Sequence, residues 1–173
     1  MSGRGRSYRY VGPAELKAAV CSGDGGRRIG SAADFSAWIV EQPAAELAEP
    51  FTFVVDMDGV LRLAPRRSEH VACAGGDMVL SAGEISFVRE ADRWVVSEIS
   101  NQSTGYCPDV SSWVEVARAL DAVELQRPFG FTHEVVFRRC PDCQEHNIVR
   151  EDDFVCVFCG SDLPAAWNVD PTA

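Results

Sequence analysis

Two Cys-x-x-Cys motifs near the carboxyl end constrain this chain more than any other feature of its sequence. The first is Cys140-Pro141-Asp142-Cys143 and the second, after twelve residues, is Cys156-Val157-Phe158-Cys159. A two-residue spacer lets the backbone curl so that both sulfurs of a motif face one ion, and four such thiolates suit tetrahedral zinc. Because four cysteines leave no open coordination position, the predicted zinc is structural. Two disulfides, or four unrelated core thiols, are the alternatives.

The two motifs and the residues between them resemble a rubredoxin-like zinc ribbon. We therefore expect residues 132–173 to form a small metal-stabilised domain with a tail, and we call each motif with its following turn a knuckle. Gly160 follows the second motif, where a positive φ is usual, and Gln144 occupies the equivalent place in the first. A hairpin is expected between the motifs, with Ile148-Val149 and Phe154-Val155 as its arms.

Composition and charge limit the classes of protein to which the chain can belong. Its 173 residues are 46% hydrophobic, as in globular proteins, and no run of eighteen apolar residues is present to span a membrane. The arginines of the first ten residues are followed by no apolar segment, so no secretory signal is predicted and the expected location is the cytoplasm. The net charge of −10 opposes binding to nucleic-acid phosphates. The three other cysteines are expected to be small core residues: Cys21, Cys73 and Cys107.

Residues 1–131 are predicted to form an α+β core domain, an antiparallel sheet with flanking helices. Helical spacing of apolar residues predicts helices after Pro13, Ser31 and Ser112, the last two each opened by a capping box. A Gly-rich stretch at 22–26 is interpreted as a flexible connection, and Arg27-Arg28 after it as a solvated turn or strand end. Runs rich in β-forming residues lie at 51–55, 60–63, 85–88 and 94–99.

The segment Asp56-Met57-Asp58-Gly59 separates the first two of these runs and is a strong signal for a β-hairpin. Residues 53–60 also resemble the nucleophile strand of haloacid-dehalogenase-type phosphatases, in which the first aspartate attacks phosphorus and the second transfers a proton. That resemblance implies a doubly wound sheet and a later lysine or arginine. The only lysine, Lys17, precedes the motif, and strand-rich sequence follows it. A hairpin turn is therefore the preferred interpretation.

A longer resemblance begins at His70. Residues 70–85, which contain His70 and Ala82-Gly83-Glu84-Ile85, are followed by two strand-like runs and by Ser103-Thr104-Gly105-Tyr106-Cys107-Pro108. This order is similar to that of a domain in plant IQ-motif calmodulin-binding proteins and in some bacterial polymorphic toxins and effectors. The family has a histidine at the place of Gly105. No IQ motif occurs in the chain, so the resemblance does not imply calmodulin binding.

His70, Ser103 and Tyr106 are the candidate catalytic residues that this resemblance implies. They would line one pocket, with His70 at a strand start and three charged residues near the rim: Arg66, Arg67 and Glu84. Histidine transfers protons near neutral pH, and tyrosine stacks on rings. ADP-ribosyltransferases use similar residue types, which makes a nucleotide ligand one interpretation. The other is a buried histidine with satisfied hydrogen bonds and a tyrosine packed at a turn.

Two classes of function follow. The first is a non-enzymatic adaptor that presents its ribbon and a sheet surface to another protein, which agrees with the negative charge and the closed metal site. The second is a nucleotide-dependent transferase with its site at His70, Ser103 and Tyr106. A zinc ribbon that binds nucleic acid is a third class, which the charge opposes.

Overall fold

A five-stranded antiparallel sheet is the main element of the computed structural model, which describes residues 5–21 and 25–169. The order of the strands in the sheet is β1-β3-β2-β4-β5, so every hydrogen-bonded neighbour runs in the opposite direction. The predicted α+β class is confirmed. The strands are β1 (Arg27–Ile29), β2 (Phe51–Val55), β3 (Leu61–Ala64), β4 (Ser81–Glu90) and β5 (Arg93–Ile99).

Short helices and a second, smaller sheet complete the described part of the chain. β6 (Val136–Arg139) and β7 (His146–Val149) pair antiparallel in the second sheet. Among the described residues, no helix has the length and apolar character needed to cross a membrane. The helices are α1 (Ala14–Ala18), α2 (Ala32–Ile39), α3 (Ala44–Leu47), α4 (His70–Cys73) and α5 (Trp113–Ala122), the last preceded by a 3-10 turn at Val110–Ser112.

One face of the large sheet packs against α2 and α5. Alternation along β2 sends Phe51, Phe53 and Val55 to this face, where they join one buried apolar cluster. The helical spacing seen in the sequence places Phe35 and Trp38 of α2 in the same cluster, and the rings of Trp38 and Phe51 are 4.8 Å apart. Each large apolar side chain buried in this way contributes about 1.5–3 kcal/mol.

The other face of the sheet is covered at one end only. There α4, the amino-terminal segment and the loop after β5 bury a smaller cluster that includes Val54, Val71 and Tyr106. Beyond it, this face carries Glu84 and Ser86 of β4 and Glu98 of β5, all half-buried or exposed. The uncovered part of the sheet is therefore polar.

The predicted hairpin between β2 and β3 is confirmed. Asp56 N donates to Val60 O over 3.0 Å, and Gly59 has a φ of +80°, which glycine adopts without strain. The Asp56 carboxylate accepts from Asp58 N and Val60 N through Oδ1 and from Arg62 Nε through Oδ2. Because this carboxylate is bonded within the turn and the sheet is antiparallel, the segment is a hairpin turn and the doubly wound sheet of the phosphatases is absent from the described residues.

The capping boxes are only partly as predicted. Ser31 Oγ caps α2 by accepting from Asp34 N, but the Asp34 carboxylate accepts from Gly30 N instead of completing the box. For α5 the helix is correct and the box is wrong. Ser112 Oγ bonds to Ser81 Oγ at 2.8 Å, and Glu115 Oε1 accepts from Gly5 N at 2.9 Å. The side chains of Ser112 and Glu115 thus bond to groups outside α5 and not to each other's backbone.

Other differences concern short segments. Arg27–Ile29 is an edge strand paired with β3, and Arg27 and Arg28 are its exposed first residues, so of the two alternatives the strand end applies and the turn does not. Residues 22–24 of the Gly-rich stretch lie outside the described residues. His70 begins the one-turn helix α4 and not a strand. In the ribbon, β7 pairs with β6, whereas residues 154–155 make only an isolated bridge through Val155 to Asp162.

Candidate functional site

The four cysteines of the two motifs lie together at the end of the β6–β7 sheet. All four Sγ atoms are within 4.8 Å of one another, and the pairs Cys140–Cys159 and Cys143–Cys156 are each 3.6 Å apart. A tetrahedral site with metal–sulfur bonds of about 2.3 Å places its sulfurs about 3.8 Å from one another. All four are free thiols, so the disulfide alternative does not apply. The predicted clustering is confirmed, and the arrangement fits a metal site.

The two knuckles have equivalent backbone geometry. Gln144 N donates to Cys140 O, and Gly160 N donates to Cys156 O, each over 2.9 Å. Both donors lie in the left-handed region, with φ of +68° at Gln144 and +80° at Gly160. Glycine adopts this conformation freely, whereas other residues lose about 1–2 kcal/mol. The first knuckle is therefore the more strained of the two.

Asn147 supports the second knuckle from inside the ribbon. It is buried; its Oδ1 accepts from Val157 N at 2.9 Å and its Nδ2 donates to Cys156 Sγ at 3.4 Å. Phe158 N donates to the same sulfur. Burial acts to raise the pKa of Cys156, but these donors and the neighbouring thiols outweigh it and lower the pKa to about 6. The thiolate, which is the metal-binding form, is thereby favoured.

The three cysteines outside the motifs divide into two groups. Cys73 and Cys107 are buried, as expected of small core residues, and burial raises the pKa of each to about 12. Such thiols are poor nucleophiles at neutral pH. Cys21, in contrast, is exposed, so the expectation that it lies in the core is wrong.

His70 lies buried between β4 and the loop that follows β5. Its Nε2 is 2.9 Å from Gly83 O, and Thr104 N donates to its Nδ1 over 3.3 Å. Because a carbonyl only accepts, Nε2 carries the proton and the ring is neutral. Burial lowers the pKa of His70, although the bond to Gly83 and the charge of Glu69 act in the opposite direction. Both ring nitrogens are occupied, so proton transfer by His70 requires breaking one of these bonds.

Ser103 and His70 line a common cavity, but Tyr106 does not. The cavity has a volume of about 240 Å³ and also contacts the three predicted rim residues, Arg66, Arg67 and Glu84. Ser103 Oγ is buried with no hydrogen-bond partner among the described residues. Tyr106 is fully buried, and its hydroxyl donates to Asp77 O at 2.6 Å. The catalytic assignment of His70, Ser103 and Tyr106 stays a prediction.

Two glycines of the resemblance segments mark places where another group comes close. A Cβ at Gly83 would lie 1.8 Å from Ser100 O, so β4 meets the end of β5 there at backbone distance. A Cβ at Gly105, where φ is +95°, would lie 2.1 Å from Tyr10 Cε1. The histidine that the resembling family has at this place would therefore collide with the Tyr10 ring.

Two asparagines that no sequence motif marks hold the segment that carries β6: Asn101 joins it to the body, and Asn168 joins it to the tail. Asn101 is completely buried; its Nδ2 donates to Val135 O at 2.7 Å and to Pro108 O at 3.0 Å, and its Oδ1 accepts from Val135 N at 2.7 Å. Asn168 of the tail makes the same two-way pairing with Arg139, through bonds of 2.8 and 2.6 Å. Both ends of the segment that carries β6 are held by a side-chain amide.

Arg138 holds the tail against β6. Its buried guanidinium donates to the backbone carbonyls of Phe137, Pro164 and Ala165. Burial lowers the pKa of Arg138, and no carboxylate among the described residues pairs with it. Trp167 holds the tail to the body by donating its Nε1–H to Cys107 O at 2.7 Å.

Comparisons with known proteins give no relative from which to transfer a function. No family model, no curated protein and no solved structure matches the chain. The fold and the site define an α+β protein with a four-cysteine centre that fits a metal ion.

Replacing His70 by glutamine is expected to flatten the pH dependence of stability. Because the pKa of His70 is lowered in the folded protein, its stabilisation is complete above the unfolded pKa of about 6.5 and is lost as the pH falls below that value. One such group gives a slope of up to about 1.4 kcal/mol per pH unit. Urea unfolding at several pH values between about 7.5 and 5 measures the slope.

His133→Gln is the matched control, because His133 is exposed. That variant should keep the pH slope of the parent protein. Equal slopes for His70→Gln and the parent would contradict the assignment of a neutral, buried His70.

Proposed function

We propose that this protein is a zinc-binding adaptor that presents its ribbon and its sheet surface to a partner protein. One observation carries the proposal. Val157 and Phe158, the two spacer residues of the second knuckle, are 76% and 64% exposed. A structural metal site would hold these apolar side chains in a fixed position in contact with water, which is unfavourable. A partner protein that covers them would gain the free energy of burying their apolar surface.

Zinc is the ion that best fits the four-cysteine centre. Four sulfur ligands in tetrahedral arrangement select zinc or iron, and a cysteine-only site closes the coordination shell. The metal therefore has no position for a substrate. Its role is to fix the ribbon, and the chemistry of recognition falls to the side chains around it.

Charge supports a protein partner over a nucleic acid. Residues 132–173 contain eight acidic and three basic side chains, a net charge of −5, and an ion bound by four thiolates adds further negative charge. Three consecutive acidic residues, Glu151, Asp152 and Asp153, lie at the turn of the ribbon. Such a surface repels phosphates and favours a partner that is basic around an apolar contact.

Exchange of Phe158 for serine tests the adaptor role. Partner proteins retained on the immobilised protein should be lost with Phe158→Ser, because removing an exposed aromatic anchor costs about 2 kcal/mol or more, roughly 30-fold in affinity. The matched control is Phe129→Ser, since Phe129 is 98% exposed and lies outside the ribbon. Quantitative mass spectrometry of the retained proteins decides the outcome. Equal capture by both variants would refute the knuckle as the contact.

A nucleotide-dependent transferase is the second candidate, supported by the cavity that His70 and Ser103 share with Arg66 and Glu84. It is tested by thermal shift with NAD and ATP. A nucleotide at one hundred times its Kd should add about 2.7 kcal/mol to the free energy of unfolding. Ser103→Ala should remove that gain while leaving the protein folded, because Ser103 Oγ has no partner to lose among the described residues.

A further inference from the structure

Three cavities adjoin one another along the uncovered face of the large sheet and the base of the ribbon. The cavity at His70 and Ser103 measures about 240 Å³, a second at Glu84 and Glu98 about 440 Å³, and a third beside the ribbon about 330 Å³. Gln102 lines all three. We call this feature the central groove; it runs from Arg66 past the end of β5 to Glu151 in the ribbon.

The floor of the central groove is the polar face of β4 and β5. Glu84 and Ser86 alternate with the core residues Ile85 and Phe87, and Glu98 stands opposite Ser86 in the strand register. Because α4 covers only the other end of this face, the side chains remain open to a ligand. The loop after β5 and the start of the ribbon form the walls.

Carboxylates outnumber the available positive charges in the groove. Arg66 lies 3.8 Å from both Glu49 and Glu84, and Arg67 forms an ion pair with Glu46. These arginines are already compensated. Four further carboxylates in the lining form no ion pair within the described residues: Glu69, Glu98, Glu134 and Glu151. Arg150 is the one lining arginine in the same condition among the described residues, so unpaired negative charge still exceeds unpaired positive charge.

Ser103 supplies an independent sign of a ligand. Ser103 lines the cavity of about 240 Å³, which we call the inner cavity, and its Oγ is buried with no hydrogen-bond partner among the described residues. Buried polar groups are normally bonded, and leaving one unpaired is costly. A donor that enters the inner cavity would satisfy this oxygen, and the neighbouring Glu69, which forms no ion pair among the described residues, would attract a donor that is positively charged.

We propose that the central groove binds an extended peptide segment rich in lysine or arginine, with one basic side chain in the inner cavity beside Ser103. This inference rests on the proposed adaptor function, because it names the chemical class of the partner. An anionic ligand would meet the unpaired carboxylates of the groove, so the charges favour a cationic one. None of the described lining residues of the groove is a phenylalanine, tyrosine or tryptophan.

The test uses a fluorescein-labelled octapeptide of alternating lysine and alanine, with a glutamate–alanine octapeptide as the control probe. Fluorescence anisotropy should show binding of the lysine peptide only. Glu98→Gln should weaken it by about 5–10-fold, as expected for one charge contact, and Ser103→Ala should also weaken it. Glu90→Gln removes an equal charge from an exposed glutamate outside the groove and should change the affinity by less than about twofold.

Different results separate this inference from the adaptor function. An equal effect of Glu90→Gln and Glu98→Gln would show general charge attraction and overturn the groove, as would binding of the glutamate peptide or of a nucleotide there. Phe158→Ser should leave the octapeptide affinity unchanged. If the octapeptide does not bind but Phe158→Ser still abolishes partner capture, the groove inference falls and the adaptor function stands.

Discussion

Replacing Cys143 by serine is expected to release the bound metal and to unfold residues 140–163, while the five-stranded sheet stays folded. The ribbon has almost no apolar core of its own. Its buried cluster consists of Cys140, Val149, Cys156 and Leu163, so two of the four members are ligands. Structural zinc contributes about 10–16 kcal/mol of apparent binding free energy in zinc-finger peptides, and a neutral serine hydroxyl does not replace a thiolate ligand.

Metal analysis and hydrogen exchange measure the two parts of this result. The metal content should fall from about one ion per chain to near zero, because one missing thiolate opens the closed site. Backbone amides of the ribbon should exchange much faster, whereas those of β2 and β4 should keep their protection. Cys21→Ser removes an exposed thiol elsewhere and should change neither quantity. A Cys143→Ser protein that retained both its metal and its ribbon protection would contradict the metal centre.

The features predicted correctly from the sequence are those whose cause is local. The Cys-x-x-Cys spacing, the Asp-Gly turn at Gly59 and the apolar spacing of α2 and α5 each act over fewer than about ten residues. The capping boxes were not predicted correctly in full, because some of their side chains form hydrogen bonds with groups outside the box. Ser112, for example, bonds to Ser81 of β4. At Arg27-Arg28 the sequence left a turn and a strand end open, because a three-residue edge strand with two arginines has no β-forming pattern of its own.

The candidate site was predictable only where a motif marks it. The clustering of the four cysteines follows from their spacing. Of the three residues expected at one pocket, His70 and Ser103 share a cavity and Tyr106 lies outside its lining. The roles of Asn101 and Asn147 could not be predicted from the sequence. What sets a buried asparagine apart from an exposed one is its hydrogen-bond partners, and these come close only when the chain folds. Val135, for instance, lies 34 residues beyond Asn101. The central groove has the same origin, since β4, the loop after β5 and the ribbon meet only in the folded chain.

The amide of Asn101 is the polar group on which the joint between body and ribbon most depends. Nδ2 faces the carbonyl oxygens of Val135 and Pro108, and Oδ1 faces the amide of Val135. The site therefore requires a hydrogen-bond donor at the position of Nδ2 and an acceptor at the position of Oδ1, which an amide provides. A carboxylate of the same shape would keep the Oδ1 contact and set its second oxygen against two carbonyls without water.

Asn101→Asp is therefore expected to lower the free energy of unfolding by about 3–5 kcal/mol at neutral pH, the usual cost of a buried charge without a partner. Burial favours the neutral form of the introduced carboxyl and raises its pKa in the folded protein. The loss of unfolding free energy should therefore shrink as the pH falls, because the protonated carboxyl can again donate a hydrogen bond. Urea unfolding followed by tryptophan fluorescence measures both effects. Asn168→Asp makes the same change at a half-buried amide and should cost less than about 1.5 kcal/mol, because water can reach the charge. Equal losses at the two positions, or a deficit at position 101 that grows in acid, would mean that the Asn101 amide is not the joint described.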